Sequence, residues 1–147
     1  MDYPLLQIAK VTKCTSARAA GTANSTGSMI DTAGYDSNLF LASLGAVTNA
    51  SVVTLSAKGG NSTTSTAATT LTPAATITET TADIAENGVL GLELVNAGYR
   101  YVWPILTIAN ANCALDNLLC IQSPGKSLPV SQSTSIVAST WAFGAST

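Results

Sequence analysis

Hydrophobic and polar positions alternate with a period of two along two stretches of this chain, the repeat of a β-strand. Between Gly34 and Gly45, Leu39, Leu41 and Ser43 fall on one side and Phe40, Ala42 and Leu44 on the other. Between Arg100 and Ala109, Val102, Leu106 and Ile108 form one side, and Tyr101, Trp103, Ile105 and Thr107 the other. The first stretch is apolar on both sides. That predicts a strand covered on both faces, or covered on one face by a neighbouring subunit. Pro104 has no N–H, so a bulge or an unpaired edge is expected at the middle of the second stretch. The two strands are expected at the centre of the fold.

Weaker alternation fills the rest. Val53, Leu55 and Ala57 oppose Val52, Thr54 and Ser56, a half-buried strand over 50–58. A connection of about five residues joins it to the strand before, which suits an antiparallel hairpin. Residues 67–87 are rich in Thr and Ala and predict one or two short strands, because β-branched Thr disfavours helix. Asn87-Gly88 signals a turn. After it, Leu90, Leu92 and Leu94 point inward and Gly91 and Glu93 outward. Leu115, Leu118 and Leu119 have helical spacing, yet Cys120 to Gln122 would continue a strand, so 110–122 fits either state. Ser123-Pro124-Gly125 predicts a turn, and Ser135 to Trp141 a last strand.

At the N-terminus Pro4 restricts Tyr3 to extended geometry. Residues 1–13 therefore predict an extended arm or a first strand, not a helix start. Residues 14–30 are small and polar and predict a long loop. Seven to nine short strands with Gly and Asn turns and little helix indicate an all-β, antiparallel β-sandwich. A chain of 147 residues makes one such domain, 1–147, with 1–13 as its arm or its first strand.

Composition narrows the functions. Six Lys and Arg against eight Asp and Glu leave a net charge of −2 and no basic stripe for nucleic acid or an anionic membrane. About a quarter of the residues are Ser or Thr. So little charge fits a subunit whose surface is covered by neighbours. No run approaches the roughly 20 apolar residues of a membrane span, and the first ten residues lack the pattern of a signal peptide.

Histidine is absent, which removes the commonest general base and metal ligand. Asp31, Asp36, Asp83 and Glu86 are the remaining candidates for acid–base or calcium chemistry, and nothing in their spacing gathers them across a cleft. Turn-capping is their simpler role. Cys14, Cys113 and Cys120 match no zinc spacing. They fit small apolar core residues made in a reducing cytosol; a disulfide between Cys14 and one of the later pair is the alternative. Tyr99, Tyr101 and Trp103 fit core or interface, or else an aromatic platform for sugar.

The stretch from Ser28 to Gly45 resembles a turn and strand of the small auxiliary capsid proteins of tailed bacteriophages. In that family a Gly-Tyr-Asp element, here Gly34-Tyr35-Asp36, precedes a strand ending in Gly. A later Arg-Tyr-Val run, here Arg100-Tyr101-Val102, opens another strand, and a Ser- and Thr-rich block lies between. The resemblance spans roughly residues 28–140 and departs over 112–122, where two cysteines have no counterpart.

It implies a head decoration or cement protein with a jelly-roll-like sandwich, often trimeric. Such a protein is made in the host cytoplasm and sits on the capsid surface, where it clamps major capsid subunits after the head expands. The partners implied are the major capsid protein and further copies of the chain, with no nucleic acid, membrane, small-molecule substrate, cofactor, metal or catalytic residue. The apolar and aromatic side chains expected at contacts are Tyr3, Leu5, Leu6, Ile8, Tyr101, Trp103, Trp141 and Phe143. A carbohydrate- or host-binding module of a tail, built on Tyr101 and Trp103, is the alternative.

Overall fold

A computed structural model of the chain describes residues 4–80 and 85–138. It is an antiparallel β-sandwich. A single helical turn, α1 (Leu5–Ile8), precedes β1 (Lys10–Thr15). Three short strands follow: β2 (Arg18–Gly21), β3 (Ser25–Thr26) and β4 (Ile30–Asp31). The long strands are β5 (Tyr35–Val47), β6 (Val52–Gly60), β7 (Thr69–Thr78), β8 (Val89–Val95), β9 (Tyr101–Ala109) and β10 (Cys113–Gly125). The first sheet runs β1-β10-β5-β8, with β2 also on β10; the second runs β3-β9-β6-β7, with β4 also on β9.

The two alternating stretches each became an inner strand of its own sheet. β5 lies between β10 and β8, and β9 between β6 and the β3–β4 edge. Phe40, Ala42 and Leu44 meet Val102, Leu106 and Ile108 in one buried cluster with Val53, Leu55, Leu92, Leu115 and Leu118. Opposite faces of each strand diverge because successive side chains leave a strand on opposite sides.

Several expectations are corrected. The step from β5 to β6 is not a hairpin: the strands belong to opposite sheets, and β6 pairs with β9 and β7. Both carry an apolar inner face, so crossing over lets the two faces bury each other. Ala50, at φ 68°, supports the crossing. Residues 14–30 are not one loop, since β1 reaches Thr15 and β2, β3 and β4 are short edge strands. Small residues allow this. At Gly27 a Cβ would lie 2.8 Å from Pro104 Cγ and 3.0 Å from Cys14 Cβ, so only glycine fits so close an approach.

Residues 5–8 are not extended: Leu5–Ile8 form one helical turn, and the chain then enters the sheet as β1. The ambiguous segment is strand. β-Bulges between Cys113 and Leu115 and between Leu115 and Asn117 put Leu115 and Leu118 on one face three residues apart. That is the spacing that imitates a helix. Ser123-Pro124-Gly125 is not a turn but the end of β10, paired with Ser37 to Tyr35. Residues 135–138 are not strand, and the rest of the expected last strand, with Trp141, lies outside the described residues.

Pro104 behaves as half of its expectation. Pairing with β6 runs through it unbroken, Ala57 opposite Pro104. Its carbonyl accepts from Gly27 N–H at 2.8 Å, so its missing donor faces the other neighbour. There the edge splits into β3 and β4.

Candidate interaction surface

The outer face of the first sheet is apolar. Val11 stands opposite Ile121, and Ile121 opposite Leu39; in the next row Leu119 stands opposite Leu41. Directly opposed residues share a face, so these five side chains form one patch across β1, β10 and β5. All five are half-buried, although none belongs to the core cluster. Lys13, Ser43, Asn117, Ser37 and Ser123 rim it. Toward β8, Gly91 follows Leu41 and the exposed Glu93 follows Leu39, so the patch ends at that strand.

The outer face of the second sheet is unlike it. There Thr54 faces Thr76 with hydroxyls 3.0 Å apart, Lys58 faces Thr70 and Trp103, and Ser56 faces Ile105. Threonines and serines hydrogen-bond to water or to each other and gain little from being covered. Val52, Ile105, Tyr101 and Trp103 share that face, so it mixes apolar and hydroxyl groups, whereas the first sheet gathers five aliphatic side chains in one patch.

The residues expected at contacts are dispersed. Leu5 is 64 % exposed, Leu6 and Ile8 are half-buried, and all three lie on α1 beyond the start of β1. Tyr101 and Trp103 share the outer face of the second sheet, away from the apolar patch. Trp103 is only 5 % exposed, so its ring is not free to stack on a sugar. Tyr101 is half-buried, with the Arg100 guanidinium 5.3 Å from its ring centre. Tyr99 lies over Gly59, where a Cβ would come within 2.5 Å of its ring. The three aromatics do not make a platform. Tyr3, Trp141 and Phe143 lie outside the described residues.

The carboxylates separate in the same way. Asp31 Oδ1 accepts from Ala33 N–H at 3.0 Å, an Asx-type turn, and Asp31 Oδ2 pairs with Arg100 at 3.2 Å. Partial burial works to raise its pKa. The Ala33 N–H and the Arg100 guanidinium outweigh it and hold the carboxyl below its usual range. Asp36 pairs with Lys126 at 3.2 Å on the other sheet. Both pairs are largely exposed and stabilise little. Glu86 is exposed beside the turn that meets Gly45, about 30 Å along β5 from Asp36 at ~3.3 Å per residue. Asp83 lies outside the described residues. Among the described residues no group of three His, Cys, Asp or Glu could hold a metal ion, and no helix is long and apolar enough to cross a membrane.

The three cysteines are free and buried. Burial pushes the Cys14 thiol up to about 12 and the Cys120 thiol higher still, and it raises Cys113 as well. They are neutral packing groups and poor nucleophiles.

Three buried polar side chains, Glu79, Asn38 and Gln122, were not singled out from the sequence. Glu79, 1 % exposed, accepts from the N–H groups of Thr80 at 2.7 Å, Ala85 at 2.8 Å and Glu86 at 3.0 Å. It anchors the turn that leads from β7 toward β8. Gln122 and Asn38, each 1 % exposed, are cross-strand partners. Asn38 occupies an inward position in the alternation of β5, and Glu79 follows Ile77 two residues on, one residue past the end of β7, which is the signal that could have found them.

No family model, curated protein or solved structure matches this chain. The geometry of the surface is therefore the ground for assigning a role.

Proposed function

We propose that this chain is a virion structural protein of a tailed bacteriophage, a cement subunit that binds between major capsid proteins of the expanded head as a homotrimer. The supporting observation is the contrast between the two outer faces. Val11, Leu39, Leu41, Leu119 and Ile121 present contiguous aliphatic area on one side of the sandwich, and the opposite side mixes hydroxyls with Val52, Ile105, Tyr101 and Trp103. Such a face favours adhesion through area and shape. Binding only the assembled, expanded shell stabilises that shell by mass action, with no turnover and no cofactor. The resemblance around Gly34-Tyr35-Asp36 and Arg100-Tyr101-Val102 points the same way. The sugar-binding alternative has weaker support, with Trp103 buried and Tyr101 half-buried.

The test uses heads of the phage that encodes the chain, prepared without it in unexpanded and expanded forms. The purified protein is expected to co-sediment with expanded heads only and to raise the temperature at which they rupture. Equal binding to both forms, or to neither, contradicts the proposal.

A further inference from the structure

The sandwich has four open sheet edges, and three are blocked. The β1 edge is covered by the chain after β10: Val11 N–H donates to Gln132 Oε1 at 3.0 Å and Lys13 N–H to Ser135 Oγ at 3.1 Å. The β3–β4 edge is short and broken opposite Pro104. The β7 edge contains Pro73 and a register shift against β6. Proline, breaks and covering segments are the usual guards of an edge. β8 has none of these among the described residues. Its pairing with β5 is regular from Val89 to Val95.

The free groups of β8 can be assigned. Leu44 N–H donates to Gly88 C=O, and Asn96 N–H donates to Asp36 C=O, each at 2.8 Å. Even-numbered residues thus point their backbone groups at β5. Val89, Gly91, Glu93 and Val95 point theirs at the open edge. Two of these, Val89 and Val95, are 62 % exposed at the side chain as well.

The sequence of the strand, Val89-Leu-Gly-Leu-Glu-Leu-Val95, is nearly symmetric about Leu92. We infer that β8 is a self-complementary docking edge that pairs antiparallel with β8 of a second copy, on a two-fold axis through Leu92. In that register Val89 meets Val95 of the second copy and Gly91 meets Glu93. All four open-edge residues then fall in hydrogen-bonded pairs. The one charge on the strand faces a glycine and not its own copy, which avoids like-charge opposition. Neither backbone conformation nor crowding requires a glycine at 91: its φ is not positive, and an added Cβ would come no nearer than 3.6 Å to Leu41. The inner leucines continue across the axis, Leu90 against Leu94 of the second copy, beside the flank where a cavity of about 290 Å³ opens between β7 and β8. A two-fold pair is isologous, so it is distinct from any contact within a trimer and would join trimers in pairs where both form.

The test is sedimentation equilibrium of three chains. The wild-type protein is expected at an even multiple of 14.9 kDa. The double variant Val89→Lys with Val95→Lys sets lysine against lysine at both ends of the pair, and its mass is expected to halve. The double variant Val89→Glu with Val95→Lys sets opposite charges there, and the wild-type mass is expected to return. Both sites are exposed, and matching urea midpoints for the two variants establish that folding is unaffected. A monomeric wild-type protein, a mass indifferent to the lysines, or a charge swap that fails to restore the pair overturns the inference. Head binding is not read in this experiment, so failure here leaves the capsid reading standing.

Discussion

The side-chain amide of Gln122 donates to Asn38 Oδ1 at 2.9 Å inside the sandwich, and the same nitrogen reaches Asp31 C=O at 2.9 Å in the opposite sheet. One amide thus joins two adjacent strands of the first sheet and ties them to β4 of the second. Gln122→Leu leaves Asn38 Oδ1 and the Asp31 carbonyl without this donor, and each buried unsatisfied group costs about 1–3 kcal/mol. Gln122→Leu is expected to lower the urea-derived stability by that order. Adding Asn38→Leu should recover part of the loss, because an apolar pair leaves less unsatisfied. Strict additivity of the two changes would show that the groups do not interact.

Glu79 carries a comparable role at the opposite end. Among the described residues its carboxylate accepts backbone N–H bonds from Thr80, Ala85 and Glu86, and charge-assisted bonds are the stronger kind. Glu79→Ala is expected to cost more than about 2 kcal/mol in chemical denaturation. It should also raise amide exchange at Ala85 and Glu86 before other sites. Unchanged exchange there would remove the anchoring role.

Alkaline conditions test the buried thiols. The folded Cys14 pKa stands near 12, and an unfolded thiol titrates at about 8.5. Since the folded value is the raised one, the stabilisation is complete below about pH 8.5 and is lost as pH rises toward the folded value. Urea midpoints should fall between about pH 9 and 11. The fall should be shallower in Cys14→Ala with Cys120→Ala. Thiol reagents at neutral pH should label the native protein slowly and the unfolded protein fully. Rapid native labelling would contradict the burial.

The two faces of β5 predict opposite costs. Leu44 is 1 % exposed in the core, and Leu44→Ala should cost about 2–5 kcal/mol. Leu41, on the outer patch, should lose under about 1 kcal/mol on Leu41→Ser in the isolated chain, in the range of surface substitutions. Equal costs would mean that the patch is core and not surface.

The face assignments were legible because the β-strand repeat has only two phases. Once Phe40, Ala42 and Leu44 lie inside, Leu39 and Leu41 must lie outside. Their apolar character already pointed to a covered outer face. Sheet membership was not legible. A four-residue connection between Val47 and Val52 fits a hairpin and a crossing equally well, and long-range pairing decides between them. The bulges in β10 were hidden for a different reason, since Leu115 and Leu118 reproduce a helical spacing without a helix. The patch itself needed the register, because Val11, Leu39 and Ile121 are far apart in sequence and meet only through β10. Trp103 misled because aromatic residues mark cores and contacts alike.

Adhesion through the outer face of the first sheet is tested most directly by co-sedimentation with expanded heads, comparing the wild-type chain with Leu41→Asp and Leu119→Asp. Urea midpoints serve as the control for folding. The wild-type protein is expected to pellet with the heads, and both variants, folded, to stay in the supernatant. Variants that pellet as the wild type does, or a wild-type chain that never pellets, would contradict the account.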